Sequence, residues 1–132
     1  MRSVRLAALA ILALETPGAV AAADTEIVVR GDAFRLEIER ILDADNVDTS
    51  RLGARQVAEA MGAIDRGRAP EDFWKAYRAH VAAWNRMARS EARLERALAE
   101  QAIDASFDEV ERIARRYRAR LPVPPWKRAP AL

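Results

Sequence analysis

Apolar side chains recur along this chain mostly three and four residues apart, which is the spacing of one face of an α-helix. A short N-terminal helix over residues 34–42 is predicted by the apolar positions Phe34, Ile38, Ile41 and Leu42. Ile27–Val29 precede this helix and could form a brief extended segment, which is too short to found a sheet. The first structured part of the chain is therefore expected to be a single short amphipathic helix.

A second helix is predicted after the acidic stretch Asp43–Asp48, which is typical of a turn. Any residue of Asp48–Ser50 can cap this helix, because short polar side chains accept hydrogen bonds from the free N–H groups of its first turn. Its buried face is marked by Leu52, Val57, Met61 and Ile64. Gly67 is expected to end it, since glycine tolerates the left-handed conformation that closes many helices.

The longest helical pattern begins at Pro70 and continues to about Gln101 without a proline or a glycine. Proline is favoured at the first position of a helix, and Glu71 and Asp72 follow where the helix dipole favours negative charge. About 30 residues at about 1.5 Å each would form a rod of about 45 Å, longer than the domain is wide. This helix must therefore protrude, bend, or break near the polar residues Arg89–Glu91.

The last helix is predicted to start at Ser106, which has the spacing of a capping box with Glu109. Its apolar face consists of Phe107, Val110, Ile113, Ala114, Tyr117 and Leu121. Pro122 should close it, and Pro122–Trp126 should be extended and polyproline-like. Trp126 either packs back onto the bundle or anchors a partner. Packing back is expected, because a large exposed aromatic side chain is unfavourable unless it is used.

Together these elements predict an all-α fold, an antiparallel bundle of three main helices plus a short N-terminal helix, with one helix unusually long. The expected organisation is a cleavable signal peptide over residues 1–23, a helical domain over residues 24–121 and a proline-rich basic tail over residues 122–132.

The first 23 residues have the pattern of an export signal. Arg2 and Arg5 form a short basic start, and Leu6–Leu14 is an unbroken apolar run. Pro17–Gly18 interrupts the pattern before the small residues Ala19–Ala23, which offer several cleavage points. Spanning a bilayer takes roughly 20 apolar residues, so this run is too short for a membrane anchor. We expect a protein exported to the periplasm or secreted, with cleavage near Ala23.

The chain contains no cysteine, although an exported protein could form disulfides. A disulfide framework, thiol redox chemistry, covalent haem attachment, a cysteine nucleophile and a lipoprotein anchor are therefore excluded. Signal removal lowers the formal net charge from +2 to +1, so overall charge gives no reason to expect nucleic-acid binding. No transmembrane segment is expected in the mature chain.

Positive charge is concentrated at the C-terminal end, where no acidic residue follows Glu111. The candidate partner surface consists of Arg112, Arg115, Arg116, Arg120 and Trp126. One interpretation is that these side chains complement the helix dipole and stay solvated. The other is that they bind a protein partner or an anionic surface.

The densest group of large side chains lies on the third predicted helix, around the chain's only histidine. A candidate ligand pocket is formed by Phe73, Tyr77, His80, Trp84 and Met87, which share one helical face. The simpler interpretation is a core histidine with one ring nitrogen bonded to a neighbour. The alternative is a small pocket between helices that binds a small ligand.

Metal and cofactor sites have little support in the sequence. Structural zinc needs several Cys or His ligands, and Tyr77 stands where a di-iron bundle needs glutamate before His80. Exported bundles of the cytochrome b type hold haem between methionine and histidine. Met61 and His80 would be that pair here, and the resemblance is one of architecture alone. No metal or cofactor is expected.

Catalysis is not expected either. A histidine base needs a nucleophile and an orienting acid, and the sequence has no G-x-S-x-G motif, phosphate-binding loop or dinucleotide fingerprint. Two functions remain, a binding or interaction protein that uses its basic last helix, and a periplasmic carrier of a small ligand near His80.

Overall fold

The computed structural model describes residues 18–128, and the side chains from Val29 onward. It contains the helices α1 (Gly18–Asp45), α2 (Ala54–Gly62), α3 (Glu71–Arg89) and α4 (Arg93–Arg116), followed by a 3-10 turn at Pro125–Lys127. This part of the chain has no strand, so the all-α prediction is confirmed. None of its helices combines the length and the apolar character required to cross a bilayer.

The N-terminal helix is the longest element and not a short one, because α1 spans 28 residues. Ile27–Val29 belongs to this helix, so the prediction of an extended segment there was wrong. Between Pro17 and Pro70 the chain contains no proline, so nothing in the sequence prevents the helix from extending upstream of its buried residues.

Most of the predicted signal peptide, residues 1–17, lies outside the described residues, and export remains a prediction.

The short helix of the bundle is α2, with nine residues. Gly53 precedes it, and its backbone N–H donates to Gln56 Oε1 over 3.0 Å. Asp48 does not cap α2 as predicted, because its Oδ1 accepts the backbone N–H of Ser50 within the preceding turn. Gly67 lies beyond the end of α2 with φ of +55° and turns the chain toward α3.

The long third helix predicted from Pro70 to Gln101 is broken at Ser90–Ala92, one of the three alternatives that its length allowed. Ser90 Oγ donates to the Arg86 carbonyl, and Glu95 accepts the backbone N–H of Glu91. These bonds satisfy backbone groups that a continuous helix would have paired. The break lets α4 fold back along α3 and bury an apolar face that a single rod would have exposed.

Antiparallel packing of α3 and α4 is shown by the pairs that they form. His80 meets Ser106 near the middle of the hairpin, and Asp72 meets Arg116 near its open end. Ser106 therefore lies inside α4 and does not begin a helix, so the predicted capping box was wrong. Its hydroxyl instead donates to the Ile103 carbonyl one turn earlier.

The end of α4 comes at Arg116, five residues before the predicted end at Leu121. Arg118 adopts φ of +57°, and the Ala119 N–H reaches back to the Ala114 carbonyl over 3.0 Å. This is the hydrogen bonding of a Schellman motif with arginine where glycine is usual. The reversal directs the C-terminal segment across the ends of the helices.

The core lies where α1, α2 and α4 surround α3. Its largest fully buried side chains are Tyr77, Phe73, Ile38, Ile41, Met61, Val57 and Val110. The described core residues of α1, Ile38, Ile41 and Leu42, lie in its C-terminal half, after the predicted cleavage region near Ala23.

Candidate functional site

A cavity of about 340 Å³ lies between the C-terminal end of α1, the helices α2, α3 and α4, and the C-terminal segment. Its volume is near the lower end of the range for small-molecule pockets, about 300–1,000 Å³. The side chains that matter most for its chemistry are Asp45, Met61, His80, Trp84, Asp104, Phe107, Glu111 and Trp126. The helices build the walls, and the segment after α4 forms the rim.

The imidazole of His80 is the most deeply placed polar group of this cavity, with 4% of the residue exposed. Its Nδ1 lies 2.8 Å from Ser106 Oγ. The Ser106 hydroxyl already donates to the Ile103 carbonyl over 3.0 Å, so its oxygen is left to accept. When the Ser106 proton is on the Ile103 carbonyl, Nδ1 carries the ring proton and donates it to Ser106, and Nε2 is the unprotonated acceptor.

The Nε2 atom is the free ring nitrogen of His80, and this residue lines the cavity. Nε2 makes no hydrogen bond, whereas every fully shielded side-chain nitrogen or oxygen among the described residues has a partner. Nε2 is therefore not fully shielded, and the cavity is the space that reaches it. Burial lowers the pKa of His80 to about 4, an effect that the Ile103 carbonyl partly opposes. At neutral pH the site presents a neutral ring with a free lone pair.

Asp45, the last residue of α1, brings a carboxylate to the same cavity. Its Oδ1 accepts a hydrogen bond from the Tyr77 hydroxyl over 3.1 Å. Burial raises the pKa of Asp45 to about 6, although the bond from Tyr77 acts in the opposite direction. The same pair raises the pKa of Tyr77, first by burial and then through the nearby carboxylate. Asp45 is thus mostly ionised at neutral pH, and it has no cationic partner among the described side chains.

Aromatic rings form the apolar part of the cavity. The Phe107 ring packs against His80 with ring centroids 5.2 Å apart, which limits the rotation of the imidazole. Trp84 is half-buried, whereas Trp126 at the rim is 69% exposed. The C-terminal segment is held by Asn46, whose side-chain amide donates to the Val123 carbonyl over 2.9 Å. Trp126 therefore does not pack into the core as expected, and stands at the mouth of the cavity.

The five residues predicted to form one pocket do not all lie in it. His80 and Trp84 line the cavity. Phe73 and Tyr77 are in the core, where their rings stack with centroids 6.3 Å apart, and Met87 is half-buried outside the cavity. Tyr77 contributes indirectly through its bond to Asp45.

Asp45, Asp104 and Ser106 were missed as site residues. The spacing of Ile103 and Phe107, four residues apart on one helical face, was a usable signal for the wall that α4 supplies. Burial of Asp45 had no signal, because the residue belongs to a stretch whose composition is that of an exposed turn.

Carboxylates neutralise the candidate basic surface at the end of α4. Each of its four arginines forms an ion pair, as follows: Arg112 with Glu109, Arg115 with Glu111, Arg116 with Asp72, and Arg120 with Asp43. These pairs are solvent-exposed, so each contributes little to stability. They nevertheless place an acidic group next to every arginine, which weakens the field that an anionic partner would meet.

No metal-binding cluster is found among the described residues, because no three or more of their His, Cys, Asp or Glu side chains lie close enough together to hold one metal ion. Met61 and His80, the pair considered for haem, do border the same cavity. Phe107 lies against His80, however, and the small volume suits a ligand smaller than a porphyrin.

Comparison of the chain with known protein families, characterised proteins and solved structures yields no match. The function is therefore inferred from the geometry of the site.

Proposed function

We propose that this protein binds a small molecule in the cavity around His80 and acts as a carrier or sensor of that molecule, without catalysis. The observation that carries the proposal is a 4%-exposed histidine that lines a half-open cavity and whose Nε2 makes no hydrogen bond among the described residues. An acceptor held at a fixed position among apolar and aromatic side chains is the usual composition of a small-molecule pocket.

The environment of His80 supports binding more than proton transfer. A general base works best with a pKa near the operating pH, whereas burial holds the pKa of His80 at about 4. The only hydroxyl bonded to the ring, that of Ser106, donates to the Ile103 carbonyl and is not offered to a substrate. The Ser106 bond instead fixes the ring orientation, so that Nε2 can accept a hydrogen bond from a ligand.

A role as an interaction module, with the basic last helix as its docking surface, has less support. Arg112, Arg115, Arg116 and Arg120 are all ion-paired with carboxylates. Trp126, the remaining member of that surface, borders the cavity, and its exposed ring can serve ligand capture as readily as protein docking.

Export is part of the proposal and rests on the N-terminal sequence alone. Leu6–Leu14 and Ala19–Ala23 have the order of a signal peptide and its cleavage region. The described side chains that line the cavity all come after Ala23, so cleavage there would remove none of them. The carrier would then work in the periplasm or outside the cell.

Native mass spectrometry of the protein recovered from its own host tests this proposal. We expect a mass above that of the chain beginning near Asp24, with the excess lost on denaturation. The variant His80→Asn keeps a donor near the position of Nδ1 but lacks the Nε2 acceptor, and it should lose the bound mass while remaining folded. Asn85→Ala, on the exposed side of α3, is the matched control and should retain it. A bare protein, or binding that His80→Asn leaves intact, would overturn the proposal.

A further inference from the structure

We propose that the ligand of this cavity is a small organic cation, an ammonium group on an apolar or aromatic body. This inference rests on the proposed binding function and specifies the chemistry of the ligand. Three carboxylates line the cavity, those of Asp45, Asp104 and Glu111, and none of the described lysines or arginines does. The second observation is independent of these charges, because the nearly fully buried His80 lines the same space and its Nε2 makes no hydrogen bond among the described residues.

The carboxylates differ in how much of their charge is compensated. Glu111 is paired with Arg115 over 3.0 Å, so most of its charge is neutralised. Within the described part of the chain, Asp104 has no ion pair and Asp45 is bonded only to the neutral hydroxyl of Tyr77. Two negative charges thus border the cavity without a cation among the described residues. Asp104 is exposed and screened by solvent, whereas the charge of the half-buried Asp45 is screened less than in bulk water.

The other polar groups are also mainly acceptors. Asn46 uses its amide N–H for the Val123 carbonyl, which leaves its side-chain oxygen free. The uncharged side-chain donors at the cavity are the second amide N–H of Asn46, the Thr49 hydroxyl and the indole N–H groups of Trp84 and Trp126. A carboxylate or phosphate ligand would find no charged donor here, whereas an ammonium group carries the donors that these acceptors lack.

Aromatic rings complete the recognition of such a ligand. Phe107, Trp84 and Trp126 all border the cavity. The faces of aromatic rings attract cations, tryptophan most strongly, and the same rings bury the apolar body of the ligand. Few aromatic residues are present in this chain, 6% of the total, so three of them around one cavity are a notable concentration.

Three probes of one shape and different charge test the inference, namely phenethylamine, phenethyl alcohol and phenylacetate, titrated into the full chain at about pH 7.5 and followed by ligand-observed NMR. We expect the amine to bind at least about 10-fold more tightly than the alcohol, and phenylacetate to bind most weakly. Asp45→Asn should weaken amine binding several-fold, and Asp104→Asn, at an exposed position, should weaken it less, while both leave the alcohol unchanged. Asp108→Asn, an exposed carboxylate on α4 that does not line the cavity, is the matched control and should change neither.

The outcomes separate this inference from the proposed function. Equal binding of amine and alcohol, both lost in His80→Asn, would overturn the cation preference and leave small-molecule binding standing. Tighter binding of phenylacetate would also overturn the preference. No binding of any probe, or binding that His80→Asn and the aspartate variants all leave unchanged, would contradict the cavity as a binding site altogether.

Discussion

Tyr77 donates a hydrogen bond from its hydroxyl to Oδ1 of Asp45 over 3.1 Å, and this bond joins the middle of α3 to the C-terminal end of α1. Tyr77 is fully buried, whereas Asp45 lies at the border of the core and the cavity. One contact thus anchors the longest helix of the protein and positions a carboxylate of the candidate site.

Tyr77→Phe should therefore destabilise the protein by about 1–3 kcal/mol, because Asp45 would remain buried without its donor. Urea unfolding at neutral pH measures the change. Tyr117→Phe is the matched control, since the Tyr117 hydroxyl bonds Asp72 at the exposed surface. We expect its cost to stay below about 1 kcal/mol. Equal effects of the two substitutions would show that burial of Asp45 has no energetic consequence.

The pH dependence of stability should combine two opposing contributions between about pH 4 and 6.5. The pKa of Asp45 is raised to about 6 from 3.8, so its contribution is full below pH 3.8 and is lost as pH rises through 6. The pKa of His80 is lowered to about 4 from 6.5, so its contribution is full above pH 6.5 and is lost as pH falls through 4. Each is of order 2–3 kcal/mol, and they nearly cancel.

Two variants should reveal the separate contributions in denaturant unfolding at several pH values. Asp45→Asn should make stability fall more steeply than in the parent chain on acidification from pH 6.5 to 4. His80→Phe should do the opposite, and stability should rise over the same range. Asp108→Asn, which removes an exposed carboxylate, serves as the control. If the parent chain and the three variants had identical pH profiles, burial would not shift the pKa values of Asp45 and His80 as described.

Gly67→Ala should destabilise the protein by about 1–3 kcal/mol. Gly67 has φ of +55°, and a Cβ there would overlap the Glu37 carboxylate and lie 2.8 Å from the Arg40 guanidinium. Glu37 also accepts the backbone N–H of Arg68, so the clash would loosen the connection before α3. Gly62→Ala is the control, because Gly62 is helical with no atom near its absent Cβ. It should stabilise by about 0.5–1 kcal/mol, and thermal melting distinguishes the two signs.

Arg118→Gly should stabilise the protein by about 1 kcal/mol, since glycine adopts the left-handed conformation at the end of α4 without steric cost. The Arg118 side chain is exposed, so little packing is lost. Arg118→Ala removes the same side chain but keeps the strained backbone, and it should give no gain in the melting temperature. A gain of equal size in both variants would assign the effect to charge instead of backbone conformation.

Trp126→Ala should separate binding from stability. The ring is 69% exposed, so its loss should change the free energy of unfolding by no more than about 0.5 kcal/mol. It should weaken phenethylamine binding about 2- to 10-fold, the range of one aromatic contact. Trp74→Ala should affect stability and not binding, because the Trp74 ring stacks on Tyr77 with centroids 5.6 Å apart and does not line the cavity. It should lower stability by about 1–3 kcal/mol, with probe affinity retained.

The local sequence determined the helical content, because the spacing of apolar residues and the scarcity of glycine and proline are properties of each short segment. The same periodicity identified Val57 and Met61 as the buried face of α2, and His80 as the centre of an aromatic face on α3. The absence of cysteine likewise excluded whole classes of chemistry without reference to any structure. These properties depend on residues a few positions apart, which a sequence displays directly.

Tertiary packing decided the rest. The break at Ser90 contains neither glycine nor proline and is favoured because α4 can then bury its apolar face against α3. Ser106 was expected to cap a helix. In the folded protein its hydroxyl instead bonds Nδ1 of His80, 26 positions away in the chain. Asp45 became a cavity carboxylate only because Tyr77 and the end of α1 come together. Such pairings depend on burial and on contacts between distant segments, for which the local pattern of a sequence carries no signal.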